Sequence, residues 1–107
     1  VVMGSSTTHD NVAKRIAKKF GVEYNKGKGP DVSTENEVIE VETADTVKDG
    51  LRQLRGFQKE VYIAGANKEV VEAALEATKD TTIGVMDKNC KILKPSTRKT
   101  RRKKRKL

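Results

Sequence analysis

Three acidic residues, Asp31, Glu40 and Glu42, lie close together in a stretch that has the pattern of a β-hairpin. The stretch reads GPDVSTENEVIEVET, and we expect a strand over Pro30–Val32, a polar turn over Ser33–Asn36 and a return strand over Glu37–Thr43. In the return strand, side chains alternate between two faces, with Val38, Glu40 and Glu42 on one and Ile39, Val41 and Thr43 on the other. The pattern therefore gathers carboxylates on one face of a strand whose other face is apolar.

Carboxylates on a strand need something to neutralise them, because like charges held close together repel. Hard cations such as Mg²⁺ and Mn²⁺ prefer oxygen ligands. Asp31, Glu40 and Glu42 are therefore candidate ligands for Mg²⁺ or Mn²⁺. The alternative is an exposed strand face whose acids pair with basic residues nearby, namely Lys26, Lys28 or Lys48.

The same residues resemble a nuclease motif. Pro30-Asp31 followed by Ile39-Glu40-Val41-Glu42-Thr43 is similar to the signature of restriction-endonuclease-like (PD-(D/E)xK) nucleases, which include archaeal Holliday junction resolvases. Gln53 and Phe57, expected in a helix after the motif, resemble the family's Gln-x-x-x-Tyr. The resemblance covers about residues 8–96, and Glu42 stands where the family usually has Lys.

This resemblance implies a mixed central sheet flanked by helices, and a catalytic site formed by Asp31, Glu40, Glu42 and Gln53. In such a site the acids hold the metal, which orients water and stabilises the leaving oxygen. The resolvase resemblance also implies a homodimer. Glu42 in place of Lys removes a positive charge from beside the phosphate, so the resemblance leaves both an active and a silent protein open.

The elements that must position these residues can be predicted from apolar periodicity. Before the hairpin we expect a helix over residues 9–20, capped by Thr8 and ended by Gly21, and a short strand over residues 22–25. After the hairpin we expect a helix capped by Thr46, with Asp49 in a capping box, that extends to Phe57. Gly50 lowers the propensity of this helix by about 1 kcal/mol, which suggests that a strand or ligand passes close to it.

The remaining pattern is βαββ. We expect a strand over residues 60–64, a helix over residues 68–78 capped by Asn67, a strand over residues 82–86 and an edge strand over residues 90–94. Residues 8–96 therefore form one α/β domain. Residues 1–7 are expected to be a flexible lead-in.

The positive charge is concentrated at the C-terminal end. The chain has 107 residues and a formal net charge of +8. Of its 23 Lys and Arg residues, eight lie in residues 97–107 without any acid, which leaves fifteen against fifteen Asp and Glu residues for the rest. Such a segment cannot fold alone, and it is suited to phosphate backbones rather than to base readout, since it has no aromatic side chain.

The candidate nucleic-acid contacts follow from this distribution. In the C-terminal segment they are Arg98, Lys99, Arg101, Arg102, Lys103, Lys104, Arg105 and Lys106. In the folded part they are Lys14, Arg15 and Lys18 on the first helix and Lys26 and Lys28 in a Gly-Lys loop. The polar face of the first helix can equally be a solvated surface. A nuclear-import signal is a second interpretation of the basic segment.

Composition excludes several classes of protein. Cys90 and His9 are each the single residue of their type, which excludes an internal disulfide and a Cys/His zinc site. There is no apolar run of membrane-spanning length and no signal-peptide pattern, so we expect a soluble cytoplasmic protein that does not bind membranes. High Lys and Glu content is a feature of thermophile proteins.

Two functions from different classes remain. One is a catalytically silent nucleic-acid-binding protein that docks on structured RNA, for example as a ribosome-associated protein. The other is a Mg²⁺- or Mn²⁺-dependent endonuclease that cleaves structured or branched DNA. The neutral folded part favours the first, and the three acids favour the second.

Overall fold

The fold was determined as a computed structural model, which describes residues 8–27 and 29–98. The predicted lead-in over residues 1–7, Lys28 and most of the basic segment lie outside the described residues. The elements are α1 (Thr8–Phe20), β1 (Val32–Ser33), β2 (Glu37–Glu42), α2 (Val47–Gln53), β3 (Glu60–Gly65), α3 (Lys68–Ala77), β4 (Gly84–Met86) and β5 (Ile92–Lys94).

The five strands form one mixed sheet in the order β1-β2-β3-β4-β5. The β1–β2 and β4–β5 pairs are antiparallel hairpins. The β2–β3 and β3–β4 pairs are parallel and are connected through α2 and α3. Parallel neighbours require such crossovers, because a tight turn can connect only antiparallel strands. The expected α/β class with a mixed, helix-flanked sheet is confirmed.

Helices cover both faces of the sheet, and each face has its own aliphatic core. On one face α1 packs through a fully buried Ile16 against Ile39 and Val41 of β2. On the other face α2 and α3 pack against Val38 of β2 and Ile63 of β3. Strand β2 is therefore buried on both sides, which is typical of strands inside a parallel layer.

The first helix follows the prediction closely. Its apolar stripe is buried, and it ends at Gly21, which has a φ of +74°. The amide of Gly21 donates to the carbonyl of Lys18, and that of Val22 to the carbonyl of Ala17. These bonds satisfy the last helical carbonyls, and glycine adopts the required conformation without the steric penalty of a Cβ.

Two predicted elements are wrong. Residues 22–25 are not a strand, because they form no ladder: the amide of Asn25 bonds the carbonyl of Asp31 within a loop. The second helix ends at Gln53, so Phe57 lies beyond it. Thr46 is its N-cap without a capping bond, because the Thr46 hydroxyl accepts instead from the amide of Thr43.

Contacts with the fold continue past the final strand. The amide of Thr97 donates to the carbonyl of Thr82 at 3.0 Å. The Arg98 guanidinium donates through Nη1 to the carbonyls of Leu54 (2.6 Å) and Phe57 (2.9 Å), and through Nε to Oγ1 of Thr82 (3.0 Å). Arg98 thus connects the end of α2 to the start of β4. Among the described helices, none has both the length and the apolar character to cross a membrane.

Candidate functional site

The hairpin brings the predicted acids together. The antiparallel register pairs Val32 of β1 with Ile39 of β2, so Asp31, one residue earlier, lies beside Glu40. Glu40 and Glu42 are two residues apart on β2 and share the face that α2 covers. All three carboxyl groups line a single cleft of about 270 Å³.

The two glutamates of this cleft are buried rather than exposed. Each retains only 4% of its accessible surface, so the alternative of an exposed acidic strand face is wrong. Burial disfavours the charged form of a carboxyl group. It raises the pKa of Glu40 to about 9, with further contributions from the charge of Asp31 and a hydrogen bond to that residue. Burial likewise raises the pKa of Glu42 to about 7, although the Thr46 hydroxyl partly opposes the shift.

The Glu42 side chain packs against Gly50 of α2, where only a residue without a Cβ atom leaves room for it. A Cβ atom built on Gly50 would lie 2.7 Å from Cδ and 2.8 Å from Cγ of Glu42, closer than real Cβ contacts. The glycine in α2 is thus explained by a side chain of the neighbouring strand. The expectation that something passes close to Gly50 is confirmed.

Asp31 is held by two donors. Its Oδ2 accepts from the Val41 amide at 2.9 Å and lies 3.0 Å from Nε2 of His9. The other ring nitrogen of His9 lies 3.3 Å from the hydroxyl of Tyr24, which donates to Oδ1 of Asp10 at 2.5 Å. A polar chain therefore runs from the N-terminal turn of α1 to the hairpin and fixes the orientation of Asp31.

The remaining walls of the cleft come from α2 and the loop before the hairpin. Gln53 lies at the C-terminal end of α2 and lines the cleft with Glu40, as the nuclease resemblance implies. Thr46 and Asp49 also line it. Among the described lining residues four are acidic, His9 is the only side chain that can carry a positive charge, and there is no Lys or Arg.

Carboxylate chemistry suits a hard cation, but the positions of the groups do not form a complete site. Within residues 8–27 and 29–98, no set of three His, Cys, Asp or Glu side chains is arranged to hold a metal ion. The carboxyl groups are instead engaged within the protein: one oxygen of Asp31 contacts the Val41 amide and His9, and Asp31 shares a hydrogen bond with Glu40. The residues as positioned therefore do not fit the predicted Mg²⁺ or Mn²⁺.

The predicted nucleic-acid contacts fall into three groups. Lys14, Arg15, Lys18 and Lys26 are exposed on α1 and the following loop. Arg98 is engaged by the fold at the end of α2. The others lie outside the described residues, and they are Lys28, Lys99, Arg101, Arg102, Lys103, Lys104, Arg105 and Lys106.

Sequence reasoning missed the part that His9 and Tyr24 have in the cleft. His9 is the first residue of the predicted helix over residues 9–20, and Tyr24 lies in the predicted strand over residues 22–25, which does not form. Asp31 lies 22 residues from His9, and no local spacing connects the two. Only the packing of α1 across β1 and β2 brings them together.

The chain was compared with family models, with curated proteins and with solved structures, and none of the three comparisons gave a match.

Proposed function

We propose that this protein binds nucleic acid on a restriction-endonuclease-like fold, and that it docks on structured RNA, such as ribosomal RNA, without cleaving it. The observation that carries the proposal is the charge distribution. Eight cations and no acid lie in residues 97–107, after a region whose formal charges cancel. Each phosphate contacted by such a segment releases condensed counterions, which favours binding to any dense phosphate backbone.

The electrostatics of the cleft support docking over cleavage. Its walls bear four acidic residues and no Lys or Arg among the described residues. A phosphodiester gains no attraction from these acids: an ionised carboxyl group repels it, and the neutral forms that burial favours for Glu40 and Glu42 offer it no positive charge. Glu42 occupies the position at which the nuclease resemblance expects a lysine. Within the part of the chain that the structure describes, the cleft therefore has no Lys or Arg that would draw a phosphate into it.

A combined binding and cleavage assay tests the proposal. The full chain would be incubated with labelled structured RNA, duplex DNA and four-way DNA junctions, with and without Mg²⁺ or Mn²⁺. We expect bound, intact RNA in all conditions. RNA that stays free at low salt would overturn the proposal.

A second candidate function is a Mg²⁺- or Mn²⁺-dependent endonuclease for structured or branched DNA. The convergence of Asp31, Glu40 and Glu42 in one cleft favours it, because burying two glutamates without a cationic partner is costly. The absence of a three-ligand set in the described residues counts against it.

The same assay separates the two functions through the Asp31→Ala protein. Cut junctions that disappear with Asp31→Ala would make this protein an endonuclease. Mn²⁺ should then also raise the melting temperature of the parent, but not that of an Asp31→Ala, Glu40→Ala variant. Equal shifts in the two proteins would reject metal binding at these acids.

A further inference from the structure

The exposed side of α1 is cationic in its C-terminal half, whereas the first turn carries Asp10. From residue 11 to residue 19 this helix contains no acid, and its basic residues are all exposed. At 100° per residue, Lys14, Lys18, Arg15 and Lys19 occupy one continuous arc of about 140°. The apolar residues of the helix take the opposite arc and are buried against the sheet. This surface therefore faces solvent as one cationic stripe.

The fold places a second cationic segment beside this stripe. The turn between β4 and β5 carries Lys88 and Lys91, both exposed, on either side of Cys90. Cys90 packs against the core that α1 buries. Burial raises the pKa of the Cys90 thiol, whereas the charges of Lys19 and Arg15 act in the opposite direction, so both cations lie near the turn.

The acid of this turn does not cancel the cations fully. Asp87 is half-buried, and its Oδ1 accepts from the backbone amides of Asn89 (2.8 Å) and Lys91 (2.9 Å). The Asp87 carboxylate thus stabilises the turn through hydrogen bonds to its backbone amides. The only other acid in α1 and the turn is Asp10, in the first turn of α1. Against these two acids, the two segments have six exposed cations: Lys14, Arg15, Lys18, Lys19, Lys88 and Lys91.

We infer that these six residues, here called the α1–turn surface, form a second contact for the phosphate backbone of the nucleic acid. The inference rests on the proposed function and names the folded surface that takes part in it. Residues 11–19 and 87–91 contain no aromatic side chain on which bases could stack, so the contact is directed to phosphates and is independent of sequence.

The place where Arg98 is attached to the fold differs from the α1–turn surface. Arg98 is attached at Thr82, before β4, whereas the turn follows β4 at Asp87. These ends are about 16 Å apart along a strand, at roughly 3.3 Å per residue. The six cations of the α1–turn surface are therefore a set distinct from those of the basic segment, and they would add their own phosphate contacts.

The test compares two full-length variants from which the same amount of charge is removed. The test variant carries Arg15→Gln, Lys19→Gln, Lys88→Gln and Lys91→Gln. The control variant carries Lys48→Gln, Arg52→Gln, Arg55→Gln and Lys79→Gln. These four exposed residues lie in α2 or just after α2 and α3, and none of them belongs to the α1–turn surface. The dissociation constant for a fluorescein-labelled RNA stem-loop would be measured at several salt concentrations.

We expect the log–log salt slope of the test variant to be smaller by roughly 3, because each phosphate that is no longer neutralised lowers the slope by about 0.7–0.9. The slope of the control should change by less than about 1. An unchanged slope in the test variant, with tight binding, would overturn this inference and leave the proposed function standing. Equal decreases in both variants would also overturn it, since total charge would then be responsible. A parent protein that does not bind would contradict the proposed function itself.

Thermal unfolding followed by circular dichroism verifies that both variants are folded. If the fourfold test variant is unfolded, the pairs Arg15→Gln with Lys19→Gln and Lys88→Gln with Lys91→Gln replace it. Each pair should then lower the slope by about half of the decrease expected for the fourfold variant. If one pair leaves the salt slope unchanged, the element that carries it, either α1 or the β4–β5 turn, does not belong to the phosphate contact.

Discussion

Glu40 and Glu42 differ from ordinary strand glutamates because they are buried on a face that the sequence pattern assigned to carboxylates. The alternation in EVIEVET places the two side chains correctly relative to Ile39 and Val41. Their burial could not be predicted, since it depends on α2 lying over β2. Glycine at position 50 predicts that something passes close to α2, but it does not identify the Glu42 side chain. Residue types therefore predicted the face, whereas tertiary packing decided its environment.

The two raised pKa values predict that the protein loses stability as pH rises. Both groups hold a proton in the folded state above the ordinary glutamate value of 4.5, so the folded state binds more protons. The free energy of unfolding then falls as pH rises from the ordinary value of each group to its raised value in the folded state. Glu42 contributes to this decline in stability up to about pH 7, and Glu40 contributes up to about pH 9. Urea unfolding at pH 5, 7 and 9 measures this decline.

Glu40→Gln and Glu42→Gln separate the two contributions. With Glu40→Gln, the decline between pH 7 and pH 9 should disappear, because Gln does not ionise. With Glu42→Gln, that decline should remain, while the decline below pH 7 becomes shallower. A parent protein whose stability is constant or rises from pH 5 to pH 9 would contradict the burial of these groups.

Gly50→Ala should destabilise the protein, although alanine is the better helix former by about 1 kcal/mol. The new methyl group would overlap the Glu42 side chain, and overpacking of this kind costs typically about 1–3 kcal/mol. In a Glu42→Ala background the overlap is gone, so Gly50→Ala should then be neutral or stabilising. Chemical denaturation of the four proteins gives the coupling energy.

Gly56→Ala is the matched control for this cycle. No atom lies within 4 Å of a Cβ built on Gly56. Its effect should be small and the same in both backgrounds. If Gly50→Ala lowers the free energy of unfolding equally with and without Glu42→Ala, glycine is required by the backbone conformation of α2 and not by contact with the Glu42 side chain.

At the scale of elements, periodicity predicted the helices and strands that carry long apolar stripes and missed those that depend on partners. Helix α3 begins as predicted, since the Asn67 side chain accepts from the amide of Val70. The expected strand over residues 22–25 has no neighbour to pair with, and α2 is shorter than its apolar pattern. Local sequence cannot reveal that the residues after α2 are held by Arg98, which lies 41 residues after Phe57.

Arg98→Ala should therefore lower the stability of the folded unit. The guanidinium supplies three hydrogen bonds to Leu54, Phe57 and Thr82, and we expect the free energy of unfolding to fall by about 1–3 kcal/mol. Arg98→Lys should not restore stability, because an ammonium group lacks the planar fork that reaches several acceptors. Thermal and urea unfolding measure both variants.

Arg55→Ala is the control at the same end of α2, and as an exposed residue it should change stability by less than about 0.5 kcal/mol. Equal effects of Arg55→Ala and Arg98→Ala would contradict the attachment of residue 98 to the end of α2. For the same reason, variants that test binding by the basic segment should leave Arg98 unchanged. Changes that begin at Lys99 leave the hydrogen bonds of Arg98 in place.

At the scale of the whole molecule, charge was the property most readily predicted from the sequence. The sum over residues 1–96 is formally zero, and the excess lies in the last eleven residues. The sequence did not predict how the cations of α1 and the β4–β5 turn would be combined into one surface, because the two segments are brought together only when Cys90 packs against the core that α1 buries. Composition thus predicts a polyanionic partner, and the inferred α1–turn surface is a place where such a partner would make contact.

The most direct test of nucleic-acid binding through the basic segment is the salt dependence of RNA affinity in the full-length chain. The parent would be compared with a variant in which the seven cations after Arg98 are replaced by Gln, all at unchanged length. We expect the variant to bind much more weakly and its log–log salt slope to be smaller by roughly 5 to 6, as the rule per phosphate gives for seven contacts. An unchanged affinity and slope would contradict the account, because the chain would then bind RNA without its densest cluster of positive charge.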